Sequence, residues 1–129
     1  MADLTEDTIW VTIQLDTVQT NKGEAMKRFI MYSKLKPDKI EEYVRLHREP
    51  WKEILELISE CNITNYSISI RNDELYTYYE YVRTDYEADM EKMNSSSIMQ
   101  KWWTHTKPCF LYHNEGKYYE DLEEIFYLK

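Results

Sequence analysis

Three side chains that could move a proton and hold a ring-shaped ligand occur four residues apart: Tyr43, His47 and Trp51. On an α-helix, side chains at positions i and i+4 lie one above the other, so this phenol, imidazole and indole would share one face. An imidazole exchanges protons near neutral pH, whereas a phenol stays protonated and can hold a hydroxyl group in place. The spacing leaves two interpretations open: a general acid–base site, or a core face on which a backbone carbonyl binds His47.

Three further aromatic residues stand out by position. Trp102 and Trp103 are adjacent within a predicted helix, so their side chains point roughly 100° apart. One of the two is therefore expected to line a cavity, contact a partner chain or lie exposed, unless the pair joins core to interface. Tyr66 shares the apolar face of a predicted strand with Ile68 and Ile70, where its hydroxyl needs a partner unless it reaches water at the sheet edge.

The composition argues against several classes of partner. The chain has 129 residues, enough for one domain, and its 16 basic and 24 acidic residues give a net charge of −8. Scattered lysines and arginines in an acidic chain do not suit a phosphate backbone or an anionic membrane surface. The longest stretch without a charged residue, 61–70, is too short to cross a bilayer. We therefore expect neither a nucleic-acid partner nor a membrane.

The sequence patterns also argue against a bound cofactor. Only two glycines occur, which excludes the Gly-rich loops that hold phosphates. His105 and His113 have no carboxylate or cysteine at metal-ligand spacing, so we expect no metal. Cys61 and Cys109 are too few for a disulfide framework and fit a reducing, cytoplasmic compartment.

The chain is predicted to consist of an N-terminal extension, residues 1–27, and a domain, residues 28–129. Alternating apolar residues at 9–15 predict an optional strand, and a polar linker follows to residue 27. In the domain, Asp38 and Glu41 are predicted to cap a long helix that Pro50 should kink or split. The predicted elements are a strand at 28–34, a helix at 38–60, a hairpin of strands 65–70 and 75–82, a helix from 84 or 85 to 93, a short helix from 95–97 to 105, and a strand at 122–128. This β-α-β-β-α-β order predicts an α+β, ferredoxin-like antiparallel sheet.

The order of four short motifs resembles that of the L-rhamnose mutarotases, over the stretch from Phe29 to the C-terminus. The motifs are Pro37-Asp38 followed by Glu42, Tyr43, His47 and Trp51; Asn65 to Ile68; Trp102-Trp103; and Glu124, Phe126, Tyr127 and Leu128. The resemblance implies a dimeric α+β barrel that interconverts the α and β anomers of L-rhamnose or a related pyranose without a cofactor. It implies that His47 is the proton donor and that four residues bind the sugar: Tyr43, Tyr66, Trp102 and Trp103.

The residues supply the chemistry that this resemblance implies. Opening a hemiacetal requires one proton on the ring oxygen and the removal of one from the anomeric hydroxyl, which an imidazole near neutral pKa can assist. Because dimeric ferredoxin-like proteins also include binding modules, a non-catalytic sugar- or small-aromatic-binding protein is the alternative. A homodimer is expected in either case, since helices on one face of the sheet leave the other face bare.

Overall fold

The structure, a computed structural model, describes residues 26–111 and 117–129. The strand predicted at 9–15 and nearly all of the 1–27 extension lie outside these residues, so the division of the chain at residue 27 stays a prediction. The described elements are β1 (Lys27–Leu35), a 3-10 turn (Pro37–Lys39), α1 (Ile40–Arg48), α2 (Lys52–Glu60), β2 (Ile63–Arg71), β3 (Glu74–Tyr81), α3 (Tyr86–Asn94), α4 (Ser97–Thr106), a second 3-10 turn (Lys107–Cys109), β4 (Phe110–Leu111) and β5 (Tyr119–Asp121).

Five antiparallel strands form one sheet around β1. β3 pairs with β1 along one side, the short strands β4 and β5 pair with it along the other, and β2 lies outside β3. The predicted hairpin is β2 and β3. With the helices between these strands, the order is that of the ferredoxin-like arrangement. The predicted α+β fold class is confirmed.

The helices cover one face of the sheet, which we call the inner face. Along β1, every second side chain from Phe29 to Leu35 is almost completely buried, while the residues between them are only half-buried. This alternation is the period-2 pattern of a strand with one covered face. The buried side chains form two clusters, one around Phe29, Tyr79 and Met90, and the other around Leu35, Tyr43 and Phe110. Helix α1 contributes to both clusters, Leu46 to the first and Tyr43 to the second.

Pro50 divides the predicted long helix into α1 and α2. Proline lacks the N–H of a helical hydrogen bond and clashes with the preceding turn, so α1 ends at Arg48 and α2 begins at Lys52. Trp51 precedes α2, and its carbonyl oxygen accepts from the backbone N–H of Ile54 at 3.1 Å. Of the two outcomes expected at Pro50, the structure has the split.

The predicted helix caps are partly confirmed. Asp85 accepts from the backbone N–H of Ala88 at 3.1 Å, and Ser96 accepts from that of Met99 at 3.3 Å. The capping box at Asp38 is wrong, because neither the first 3-10 turn nor α1 has a side-chain cap. Pro37 occupies the first position of that turn, so the following residue lies within it rather than at the cap.

The last predicted strand, 122–128, is also wrong in its position. The C-terminal strand is β5, which ends before it, and the backbone follows β1 only as far as the bond from Leu122 N–H to the Ile30 carbonyl, 3.1 Å. The remaining tail is held by side chains instead. The Arg28 guanidinium bonds both carboxylate oxygens of Glu124, at 2.7 and 3.0 Å, and lies 3.2 Å from the ring centroid of Tyr127. No period-2 pairing is needed to order such a segment.

The outer face of the sheet carries aromatic side chains and no helix of the described residues. Tyr32 and Tyr76 pair across β1 and β3 with ring centroids 5.4 Å apart. Beside this face, the tail exposes Ile125, Phe126 and Leu128 by 78 to 88%. In the part of the chain that the structure describes, no helix is long and apolar enough to cross a membrane.

Candidate functional site

Helix α1 positions the central pair of the site. Tyr43 and His47 lie one turn apart, with ring centroids 4.2 Å apart and planes tilted by 30°. The Nδ1 atom of His47 is 2.8 Å from the backbone carbonyl oxygen of Tyr43. Because a carbonyl oxygen only accepts, Nδ1 carries the hydrogen, and the Nε2 atom of the neutral ring keeps its lone pair. The backbone thus fixes the tautomer of the imidazole.

His47 is half-buried between two aromatic rings. Tyr43 covers one side, and Trp102 meets the imidazole edge-on with centroids 5.6 Å apart. Burial lowers the pKa of His47 below its ordinary 6.5, since the charged form loses water, and the bond to the Tyr43 carbonyl opposes this only in part. His47 is therefore neutral at pH 7 and presents Nε2 as a proton acceptor.

Two phenols from different elements, Tyr43 on α1 and Tyr66 on β2, are close enough to interact with each other. Tyr43 is 5% exposed, and burial raises its pKa well above 10, with Tyr119 and Tyr66 adding to the effect. Burial raises the pKa of Tyr66 to about 12. Within residues 26–111 and 117–129, neither the Tyr43 nor the Tyr66 hydroxyl has a hydrogen-bond partner. Both phenols stay protonated and have a hydrogen bond to offer to a ligand.

A β-bulge in β2 aims Tyr66 at the inner face. Asn65 and Tyr66 together lie opposite a single residue of β3, Tyr79, whose ring centroid is 5.7 Å from that of Tyr66. Asn65 takes a positive φ of 47° and donates from its side-chain amide to Glu80 Oε1 at 2.7 Å on the outer face. Asparagine suits this left-handed position better than most residues do.

The two tryptophans of the pair have different neighbours, but the expectation that the two cannot both be core residues is wrong, because both belong to one buried cluster. Trp102 meets both His47 and Trp51 edge-on, with centroids 5.6 and 5.0 Å away. Trp103 is instead covered by Lys107, whose Nζ is 4.4 Å from its ring centroid. Both tryptophans are more than nine-tenths buried. The structure thus joins Trp102 to the imidazole, while the sugar-binding role of Trp103 stays a prediction.

Tyr119 is a residue of the region that no sequence pattern singles out. It lies on β5, packs against the buried Phe110 with centroids 5.4 Å apart, and raises the pKa of Tyr43 through its charged form. A strand of three residues is too short to show a periodic pattern, so the only signal was the pair of tyrosines at 118 and 119.

Two sequence comparisons relate the chain to known proteins. A family profile described as L-rhamnose mutarotase matches residues 28–128 of the chain. An L-rhamnose mutarotase from Listeria monocytogenes is 35% identical over 100 residues, which cover 77% of this chain and 93% of that protein.

Solved structures share the fold at lower sequence identity. The crystal structure of an L-rhamnose mutarotase from Formosa agariphila has a TM-score of 0.63 at 23% identity, covering 80% of this chain and 99% of that one. The tetracenomycin F2 cyclase of Streptomyces glaucescens has a TM-score of 0.55 at 17% identity, covering 80% and 96%. These likenesses support the ferredoxin-like arrangement of the sheet and helices.

Proposed function

The chain belongs to the L-rhamnose mutarotase family, and on this premise we propose that it interconverts the α and β anomers of L-rhamnose or a related pyranose by general acid–base ring opening. His47 transfers the proton in this proposal, Tyr43 and Tyr66 hold sugar hydroxyls, and Trp102 and Trp103 supply aromatic walls of the site. No redox change, metal ion or activated phosphate is needed for the reaction.

One observation supports the proposal above the others: the Nε2 atom of His47 and two protonated phenols are free to bind a ligand in one interior region. Buried polar groups are normally hydrogen-bonded within the protein. A polyhydroxy ligand would satisfy the phenols, and a proton acceptor beside them would act on one of its hydroxyls. A core histidine held only for packing would not explain the two phenols.

A single proton carrier is enough for the whole reaction. The anomeric oxygen and the ring oxygen are bonded to the same carbon, C1, so one imidazole nitrogen can reach both. Neutral Nε2 removes the proton from the anomeric hydroxyl, the bond from C1 to the ring oxygen breaks, and His47 donates the proton to the ring oxygen. Rotation about C1–C2 and the reverse steps on the other face of the aldehyde give the other anomer, with no net change in protons.

Exchange NMR spectroscopy on L-rhamnose tests the activity directly. At equilibrium, the H1 signals of the two anomers should show exchange cross-peaks that grow with protein concentration and are absent with heat-denatured protein. Broadened sugar signals without added exchange would instead favour a binding module. If millimolar sugar shows neither added exchange nor broadening, both functions are refuted.

We further infer that the protein is a homodimer whose protomers pack through the outer face and the tail. The exposed side chains Ile125, Phe126 and Leu128 continue the aromatic surface of Tyr32 and Tyr76, and large exposed apolar patches are rare on monomers. Light scattering at micromolar concentration should give twice the mass of the chain; the mass of one chain would contradict the inference.

We also place the protein in the cytoplasm. Cys61 and Cys109 are buried as free thiols, which suits a reducing compartment. Fractionation of the source cells should find it with cytoplasmic markers, and recovery from an extracellular fraction would contradict this placement.

A further inference from the structure

The inner face of the sheet contains a buried hydroxyl that neither the fold nor the proposed mechanism uses. Ser33 lies on β1 and has no exposed surface. Among the described residues its Oγ atom has no hydrogen-bond partner. Leaving a buried hydroxyl unsatisfied costs stability, and a small apolar residue would avoid that cost. The serine therefore calls for a reason other than packing.

The register of the sheet places Ser33 beneath the candidate site. It lies on the inner face between Met31, which belongs to the first buried cluster, and Leu35, which belongs to the second together with Tyr43. Directly across the sheet, Ser33 pairs with Tyr119 of β5. Tyr119 in turn raises the pKa of Tyr43, so the two phenols are close enough to interact. Ser33 thus pairs with the residue that interacts with Tyr43, on the sheet face that carries both buried clusters.

Its surroundings match those of the two ligand-binding phenols. Like Tyr43 and Tyr66, Ser33 is a hydroxyl in the interior without a protein partner. Like Tyr66 and unlike Tyr43, it reaches the region from the sheet, and a serine side chain can turn its Oγ among three rotamers. A pyranose lying between α1 and the sheet would meet the Tyr43 phenol on the helix side, and the Tyr66 phenol and this hydroxyl on the sheet side.

We propose that Ser33 is a specificity-determining residue whose hydroxyl binds one secondary hydroxyl of the pyranose ring, on C2, C3 or C4. This inference rests on the proposed function and deepens it. The serine hydroxyl can donate and accept, so it pairs with a sugar hydroxyl in either direction. A pyranose that lacks the hydroxyl, or carries it on the opposite face, leaves Ser33 buried and unpaired in the complex and binds more weakly.

Binding titrations with the full-length protein test the proposal. The probes are L-rhamnose and its 2-, 3- and 4-deoxy analogues. The variants are Ser33→Ala and, as control, Ser59→Ala, which makes the same chemical change at an exposed site of α2. For one neutral hydrogen bond, Ser33→Ala should weaken L-rhamnose binding about three- to tenfold. The melting temperature should stay unchanged or rise, because an unsatisfied buried hydroxyl is removed.

The analogues identify the contact. The wild-type protein should bind one deoxy sugar about three- to tenfold more weakly than L-rhamnose because of this contact, and the Ser33→Ala protein should lose that discrimination for the same analogue only. Unchanged affinity and unchanged discrimination in Ser33→Ala would overturn the proposal. Anomer exchange is measured in parallel. If the wild-type protein binds the sugar but catalyses no exchange, the mutarotase activity is refuted. The Ser33 contact is then judged from the binding data alone. Wild-type protein that does not bind the sugar overturns both.

Discussion

Replacing His47 by phenylalanine removes its proton chemistry while keeping an aromatic ring in place. The ring contacts to Tyr43 at 4.2 Å and to Trp102 at 5.6 Å can persist, but the Nδ1 bond and the free Nε2 atom are lost. General acid–base groups contribute about 10²- to 10⁴-fold to a rate. We therefore expect His47→Phe to lower the enzyme-catalysed exchange rate by at least about 10²-fold.

His47→Phe should lower the free energy of unfolding only slightly, in contrast to its large effect on the exchange rate. His47→Phe loses one hydrogen bond to a carbonyl, about 1 kcal/mol. His47→Ala loses that bond and two aromatic contacts of about 0.5–1.5 kcal/mol each, so we expect it to cost about 2–4 kcal/mol. The two variants should thus differ in melting temperature while sharing the loss of exchange.

Exchange NMR and thermal melts on the same samples distinguish catalysis from packing. If His47 is only a core residue, activity should follow stability, and the phenylalanine variant should retain most of it. Exchange by folded His47→Phe protein at the wild-type rate would refute the proton-transfer role. Full binding of L-rhamnose by this variant, measured by titration, would show that the site itself is intact.

Three further predictions concern the surroundings of the site. The pKa of His47 is lowered in the folded protein, so the exchange rate should be constant above pH 6.5 and fall only at lower pH, where Nε2 becomes protonated. Because the unfolded imidazole binds its proton first as the pH falls, the free energy of unfolding should also decrease from pH 6.5 down to the folded pKa, and His47→Phe should lack this component in pH-dependent melts. Trp51→Leu removes the edge-on contact to Trp102 and should slow exchange several-fold, with Trp51→Phe closer to wild type; equal rates in all three would contradict a supporting role. Arg28→Ala frees Glu124 and the tail, and light scattering of a dilution series should show a weaker dimer with the site activity of the remaining dimer unchanged; an unaltered dimer would disprove the role of the tail.

Local signals predicted most of the domain, because its elements carry strong and separate patterns. The period-2 alternation of β1 and β3, the break at Pro50 and the caps Asp85 and Ser96 each depend on a few neighbouring residues. The errors fall where distant residues decide the local structure. The tail follows Arg28, which lies 96 positions earlier in the chain, and no property of residues 122–128 alone shows this.

The sequence predicts which residues form the site better than it predicts how their side chains are arranged. The i, i+4 spacing brings Tyr43 and His47 together as expected, but the sequence does not indicate that Trp102 inserts beside the imidazole. That contact arises from the packing of α4 beside α1 and the start of α2. Ser33 was missed altogether, since a serine within an otherwise apolar face has no motif of its own and is distinguished only by its burial and its lack of a partner.

The bulge in β2 allows this strand to lose one residue, Thr64 or Asn65, without changing which side chains face inward. Deleting Asn65 would remove the extra residue, and Ile63, Tyr66 and Ile68 would still point to the inner face in a regular ladder with β3. Deleting Ser67 instead would turn one part of the strand over relative to the other and carry either Tyr66 or the residues after it to the outer face. Single-residue deletions inside β2 should therefore keep the inward side chains in place only at Thr64 or Asn65, and deletion of Asn65 costs the bend and the bond to Glu80 rather than the side-chain order.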